Sequence, residues 1–248
     1  MLSNIENEIV YQDVVTASEC GWVLELSPVG AFQRVQNAMT FYFGKMELDS
    51  PHLYHRHNAT WVVTRNKIDF LKALKWNDHF CAKCRVIGKS TARTILNISL
   101  FNDEGQLCIS SRMEMCALAL DTKRVRKLSD IGFDVMELQS EYLESGFDKI
   151  SANELESVAS RRITLSNLDF NQHTNNVEYT RFLMDTYTLD GVKDRHIQSF
   201  QIDYVNQSRL GDELTICKGR SDNKDTIVIR NGDTVVVRSQ IEWSGSPQ

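Results

Sequence analysis

The chain has 248 residues, 42% of them hydrophobic, 25% charged and 9% aromatic, which is the composition of a globular protein and not of a disordered or fibrous one. Its 28 Lys and Arg stand against 33 Asp and Glu for a net charge of -5, so no whole-chain basic footprint exists for nucleic acid. No apolar run reaches the roughly 18 residues of a membrane span, and the first residues lack the basic and apolar regions of a secretion signal; a soluble, cytoplasmic protein with reduced cysteines is expected.

In chain order, the first strong pattern is apolar. Phe32, Val35, Met39, Tyr42 and Met46 recur at three- and four-residue spacing, which predicts a helix over 29–46. The histidine-rich stretch Pro51–His57 has no fixed carboxylate or Cys partner and reads as a solvated loop, not a metal site. Cys81 and Cys84 fall in a strand pattern where three-residue spacing puts the thiols on opposite faces. Leu96, Ile98 and Leu100 alternate with polar residues, and Asn102-Asp103-Glu104-Gly105 leads into Leu107 and Ile109; this is a hairpin. Lys123, Arg124, Arg126 and Lys127 close this half, and an acidic segment from about Leu128 to Ser160 without a full strand signal reads as a partly helical linker.

The second half repeats the order. A helix is expected over 176–189, strands over 197–205 and 212–218, and a hairpin around Asn231-Gly232-Asp233. Ile68-Asp69-Phe70 with Asp78 matches Ile202-Asp203-Tyr204 with Asp212, 134 residues on; Phe32-Gln33-Arg34 matches Tyr179-Thr180-Arg181 at 147; Ser111-Arg112-Met113-Glu114 matches Ser239-Gln240-Ile241-Glu242 at 128. Three matches in one order indicate a duplicated unit. A long helix followed by antiparallel strands, twice, predicts an α+β tandem (double) hot-dog, each unit a sheet wrapped around one helix. The expected boundaries are 1–128 for the N-terminal unit, 129–160 for the linker and 161–248 for the C-terminal unit.

Chemistry concentrates before the second helix. Asp169, Asn171 and His173 alternate, so an extended segment would point all three to one face. Asn175 with Glu178 has capping-box spacing. His173 then stands at a helix N-terminus, where the N–H groups of Asn176 and Val177 are candidates to hold an oxyanion. At the 147 offset the first copy has Trp22, Leu24 and Leu26 in these places, which predicts one polar site per chain.

Asp169-Phe170-Asn171-Gln172-His173-Thr174-Asn175-Asn176-Val177-Glu178-Tyr179 resembles the Asp-x-Asn-x-His-x-Asn-Asn-x-x-Tyr signature of the acyl-acyl carrier protein (acyl-ACP) thioesterases, a double hot-dog family of plants and bacteria. Trp61-Val62-Val63-Thr64, Trp76-Asn77-Asp78 and Thr122-Lys123-Arg124-Val125 resemble its landmarks in the first unit. The resemblance implies hydrolysis of a fatty acyl thioester of acyl carrier protein, without metal or organic cofactor, with Asp169, Asn171 and His173 as functional residues. The family's downstream Glu-Cys pair is replaced here by Gln207 and Ser208. A Gln is no base and a Ser is a poorer nucleophile than Cys, which leaves His173 or Asp169 to activate water, with Gln207 and Ser208 in supporting places. Phe32, Val35, Met39 and Tyr42 are candidates to line an acyl pocket, beside their plainer use as core. The same chemistry on acyl-coenzyme A and a non-catalytic acyl-binding module are the alternatives, and a homodimer is an open assembly.

Overall fold

The computed structural model describes residues 8–133, 146–151 and 155–244. The chain divides into two compact units, one of residues 1–66 and 71–147, the other of residues 67–70 and 148–248.

In the first unit, β1 (Glu8–Val14), β2 (Ala59–Phe70), β3 (His79–Lys89), β4 (Arg93–Asn102) and β5 (Leu107–Ala119) lie in the order β1-β3-β4-β5-β2. Helix α1 (Pro28–Lys45) packs on β3 and β4. Ser27 caps it by accepting from the Gly30 N–H at 3.0 Å, and Pro28 fits the first helical position, where no N–H is needed. A Cβ on Gly30 would stand 2.5 Å from the Glu19 carbonyl oxygen, so only glycine lets α1 start this close to the turn before it. Phe32, Val35 and Tyr42 are buried, as the spacing predicts, while Met39 is only half-buried. The Pro51–His57 stretch is not a loop: it forms α2 (Ser50–His57), because Asp49 caps it through the His52 N–H and Asn58 ends it in the left-handed region.

The second unit repeats the order as β7-β10-β9-β8-β6, with β6 (Glu156–Arg162), β7 (His196–Tyr204), β8 (Glu213–Ser221), β9 (Lys224–Asn231) and β10 (Thr234–Ser244). Strand β6 begins inside the segment read as a linker. Its Glu, Ser and Arg residues carry little strand signal because an edge strand faces solvent over most of its length. The helical expectation for 134–145 lies outside the described residues. Helix α3 (Asn176–Met184) is five residues shorter than its apolar period predicts, and after a break Thr188 caps the short α4 (Leu189–Val192). The duplication holds in the hydrogen bonds themselves. Val15 and Asn77 exchange backbone bonds with each other's segments as Ile163 and Gly211 do, and Leu71 and Lys72 both donate to Cys108 as Val205 and Asn206 both donate to Val236.

Candidate active site

The site is a five-residue loop, residues 169–173, leading into α3. A bridge pairs Leu168 with Thr174; inside it the Asp169 N–H donates to the His173 carbonyl (2.8 Å) and the Gln172 N–H to the Asp169 carbonyl (3.0 Å). Gln172 closes the turn with φ of 63°. The segment is therefore a tight turn and not the extended run expected from the alternation. The cause is Asp169, whose Oδ1 accepts from the N–H groups of Asn171 (2.8 Å) and His173 (3.2 Å), the local bonding by which Asp favours turns over strands. Asn171 and His173 are half-buried on this pinned loop.

The helix start behaves partly as expected. Asn175 caps α3, accepting from the Val177 N–H at 3.1 Å. This removes Val177 from the candidate oxyanion donors and leaves Asn176, at the first helical position, in that place. Glu178 does not complete the expected box: the Asn175 N–H donates to the Asn167 carbonyl, while the Glu178 carboxylate accepts from Asn167 Nδ2 at 2.8 Å.

Below the loop lies a cluster of hydroxyls. Ser208 is buried, and its Oγ is 2.7 Å from Thr174 Oγ1 and 2.8 Å from the Tyr179 hydroxyl, while its carbonyl accepts from the Thr174 N–H. Burial pushes the Tyr179 phenol up, partly offset by its bonds to Ser208 and Thr174. Ser208 thus ties the loop to α3, and the adjacent Gln207 is exposed. Thr174 is a site-shaping residue that the sequence pattern did not single out, while Tyr179 enters that pattern as the last position of the signature, without an assigned role. Ser208→Ala is expected to lower stability by about 1–3 kcal/mol by stranding buried hydroxyls, read as a fall in denaturation midpoint. Turnover should drop far less than the loss of a nucleophile would give.

The first unit builds the same loop. Cys20 bridges Leu26; Gly21 N–H donates to Glu25 O, Leu24 N–H to Gly21 O, Leu26 N–H to Leu74 O and Ser27 N–H to Glu19 O; Leu24 has φ of 57°. Each bond matches one around Asp169, with Ser27 equivalent to Asn175 and Leu74 to Ser208. The true offset here is 148, not 147, because the match of Phe32-Gln33-Arg34 to Tyr179-Thr180-Arg181 slipped by one residue along the helix. Asp169, Asn171 and His173 therefore correspond to Gly21, Val23 and Glu25, not to Trp22, Leu24 and Leu26. The first copy carries one carboxylate in the place of His173, without the pinning Asp or the Asn amide.

The remaining candidates are placed as follows. Phe32, Val35 and Tyr42 pack in the first unit's core. A cavity of about 400 Å³ in that unit is lined elsewhere, by Gln12, His79, Cys81, Lys83 and Phe101 among others. Cys84 is buried and its thiol pushed up by burial, while Cys81 faces the opposite side of β3 and is half-exposed. Among the described residues, no group of three or more His, Cys, Asp and Glu is placed to hold a metal ion, and no helix is long and apolar enough to cross a membrane.

Residues 148–245 match the family described as acyl-ACP thioesterase C-terminal domain, and residues 37–109 match the thioesterase superfamily. Two curated relatives, the chloroplastic dodecanoyl-[acyl-carrier-protein] hydrolases of Cinnamomum camphora and Umbellularia californica, are 23% and 24% identical over 209 residues. Those alignments take in 76% of this chain and 53% of the relatives, so the chain spans about half their length. Among solved structures, an acyl-ACP thioesterase from Bacteroides thetaiotaomicron superposes with a TM-score of 0.85 at 21% identity, over 98% of this chain and 100% of that one. The 12:0-ACP thioesterase from Umbellularia californica superposes with a TM-score of 0.82 at 16% identity over 100% of both chains. The double hot-dog fold is established by these superpositions.

Proposed function

We propose, for a chain whose residues 148–245 match the acyl-ACP thioesterase C-terminal domain and whose residues 37–109 match the thioesterase superfamily, that it hydrolyses the fatty acyl thioester of acyl carrier protein and releases the free fatty acid. One observation carries this reading: Asn171 and His173 stand on a loop pinned by the Asp169 carboxylate at the mouth of α3, while the first unit's loop, which shares its main backbone bonds but has no pinning carboxylate, has Val23 and Glu25 instead.

His173 takes a proton from water as the water oxygen attacks the thioester carbonyl. Asn171 orients the carbonyl or the water, and the Asn176 N–H with the positive end of α3 stabilises the oxyanion. Collapse breaks the carbon–sulfur bond, and the departing thiolate takes the proton from the imidazole. Asp169 acts as a positioning residue, because its Oδ1 is already engaged by two backbone N–H groups. Phe32, Val35, Met39 and Tyr42 belong to this reading as acyl-pocket candidates, as does a cytoplasmic location.

Acyl carrier protein is the partner this reading requires, and a basic turn of the first unit suits it. Leu118 bridges Val125, the Arg126 N–H donates to the Ala117 carbonyl, and the turn between them leaves Lys123 and Arg124 exposed, with Lys127 exposed just beyond it. Arg161 is paired with Asp185 at 3.1 Å and is less available. Reversing Arg124 and Arg126 to Glu should raise KM for carrier-bound substrate about tenfold or more while sparing coenzyme A thioesters. Equal effects on both would remove the docking role. The function itself is tested by a hydrolysis panel of carrier-bound and coenzyme A thioesters across chain lengths; absence of turnover with every thioester would refute it.

A further inference from the structure

Beyond the C-terminal end of α3, on the far side of that helix from the 169–173 loop, the second unit buries a second charged cluster that hydrolysis does not use. Its centre is Asp225 on β9, whose side chain is 0% exposed. The carboxylate accepts from Arg220 Nε (2.5 Å) and Nη2 (3.0 Å), the Tyr187 hydroxyl (2.7 Å) and Trp243 Nε1 (2.9 Å). Four donors fill its acceptor capacity. Two further cations share the cluster. Lys218 Nζ lies 3.2 Å from the Tyr187 ring centroid and 3.4 Å from Thr186 Oγ1. The Arg195 guanidinium stacks 4.5 Å from the Trp243 ring centroid.

Arg195 is the anomaly. The residue is only 6% exposed, and its Nε, Nη1 and Nη2 are buried with no hydrogen-bond partner among the described residues. Its chain neighbours Asp194 and His196 are exposed, so this side chain alone turns inward. Stacking on an indole offsets part of the cost of burying a cation but satisfies none of five N–H donors. Removal of a guanidinium from water without an acceptor is unfavourable, and Arg220 nearby adds like-charge repulsion. Burial first, then the Arg220 charge, holds Arg195 below its ordinary range, and burial lowers Lys218 to about 8. Three cations share one carboxylate, leaving two positive charges unmatched.

We propose that Arg195, Arg220 and Lys218 form a binding site for a phosphoryl dianion, either inorganic phosphate or a phosphate monoester. A dianion supplies the two missing negative charges, and its oxygens give the guanidinium the acceptors it lacks in paired, planar geometry. A carboxylate would neutralise only one charge. The Arg220 side chain is 39% exposed, which opens the cluster to solvent at one edge.

The site does not depend on the hydrolytic reading, and its test reads binding, not turnover. The whole chain in phosphate-free chloride buffer is titrated with inorganic phosphate, followed by ³¹P NMR and calorimetry, and in separate arms with coenzyme A and 3′-dephospho-coenzyme A. Saturable phosphate binding is expected, weakened at least about tenfold in Arg195→Met and in Lys218→Met through lost charge-assisted hydrogen bonds. Methionine keeps the packing on Trp243, so Arg195→Met should melt no lower than wild type without phosphate, and added phosphate should raise the melting temperature of wild type alone. Tighter binding of coenzyme A than of its dephospho form, abolished by Arg195→Met, supports a monoester as ligand; equal binding with inorganic phosphate retained supports the free anion. If wild type binds neither phosphate nor coenzyme A saturably, or if both variants bind phosphate as wild type does, the proposal fails. Lys218→Met alone decides it should Arg195→Met not fold.

Discussion

His173→Ala is expected to lower kcat/KM for carrier-bound acyl thioesters by about a hundredfold or more while leaving the melting temperature nearly unchanged. The two effects separate because the bonds that shape the loop run through the His173 backbone. The His173 N–H donates to Asp169 Oδ1 and its carbonyl accepts from the Asp169 N–H, and Ala retains both. Asp169→Ala should behave differently. It strands the N–H groups of Asn171 and His173 together, so stability and turnover fall jointly, and Asp169→Asn, which keeps one carbonyl acceptor, should recover part of each. Wild-type hydrolysis by folded His173→Ala would remove the imidazole from the mechanism. Loss of turnover in Asp169→Ala with an unshifted melting curve would make Asp169 the base.

The largest effect on stability is expected at Asp225. Burial alone would raise this carboxyl, but Arg220, the Tyr187 hydroxyl and the Lys218 charge outweigh it and hold it below its ordinary value of 3.8. Asp225→Ala leaves Arg220 and Lys218 without their counter-ion and Tyr187 and Trp243 without their acceptor. Breaking a buried pair in this way costs about 3–5 kcal/mol, measurable by urea denaturation at pH 7. The pH dependence has a definite sign. A carboxyl depressed in the folded state stabilises the fold above its unfolded pKa and loses that contribution as pH falls through the folded one. The gap between wild type and Asp225→Ala should therefore be full at pH 7 and narrow below about pH 4. A gap that stays constant into acid would mean that Asp225 is not held as the ion.

The helices and hairpins were legible because their signals are local. The Phe32–Tyr42 spacing, the Asn231-Gly232-Asp233 turn and the Leu96–Leu100 alternation each have one low-energy backbone solution. Edge strands β1 and β6 gave weak signals, since a strand with solvent on most sides needs no alternation. The histidines of α2 read as a loop because their helix rests on caps at Asp49 and Asn58, not on an apolar face. The repeat was legible, but its register near the helices was not. A three-residue match in mid-helix slips by one without penalty, whereas the positive φ of Leu24 and Gln172 and the caps at Ser27 and Asn175 admit a single alignment.

The residue types of the candidate site, their order and their place before a capped helix are properties of the sequence alone, since a short loop at a helix start is specified by neighbours in the chain. Two things were decided by tertiary structure. Ser208, 34 residues beyond Thr174, is buried under that loop as a tie between hydroxyls. Arg195, Lys218, Arg220, Asp225 and Trp243, spread over three strands and a connection, converge with two cations in excess. Each depends on groups distant in the chain being brought into a medium where an unpaired polar atom is costly, and no local pattern in the sequence records that.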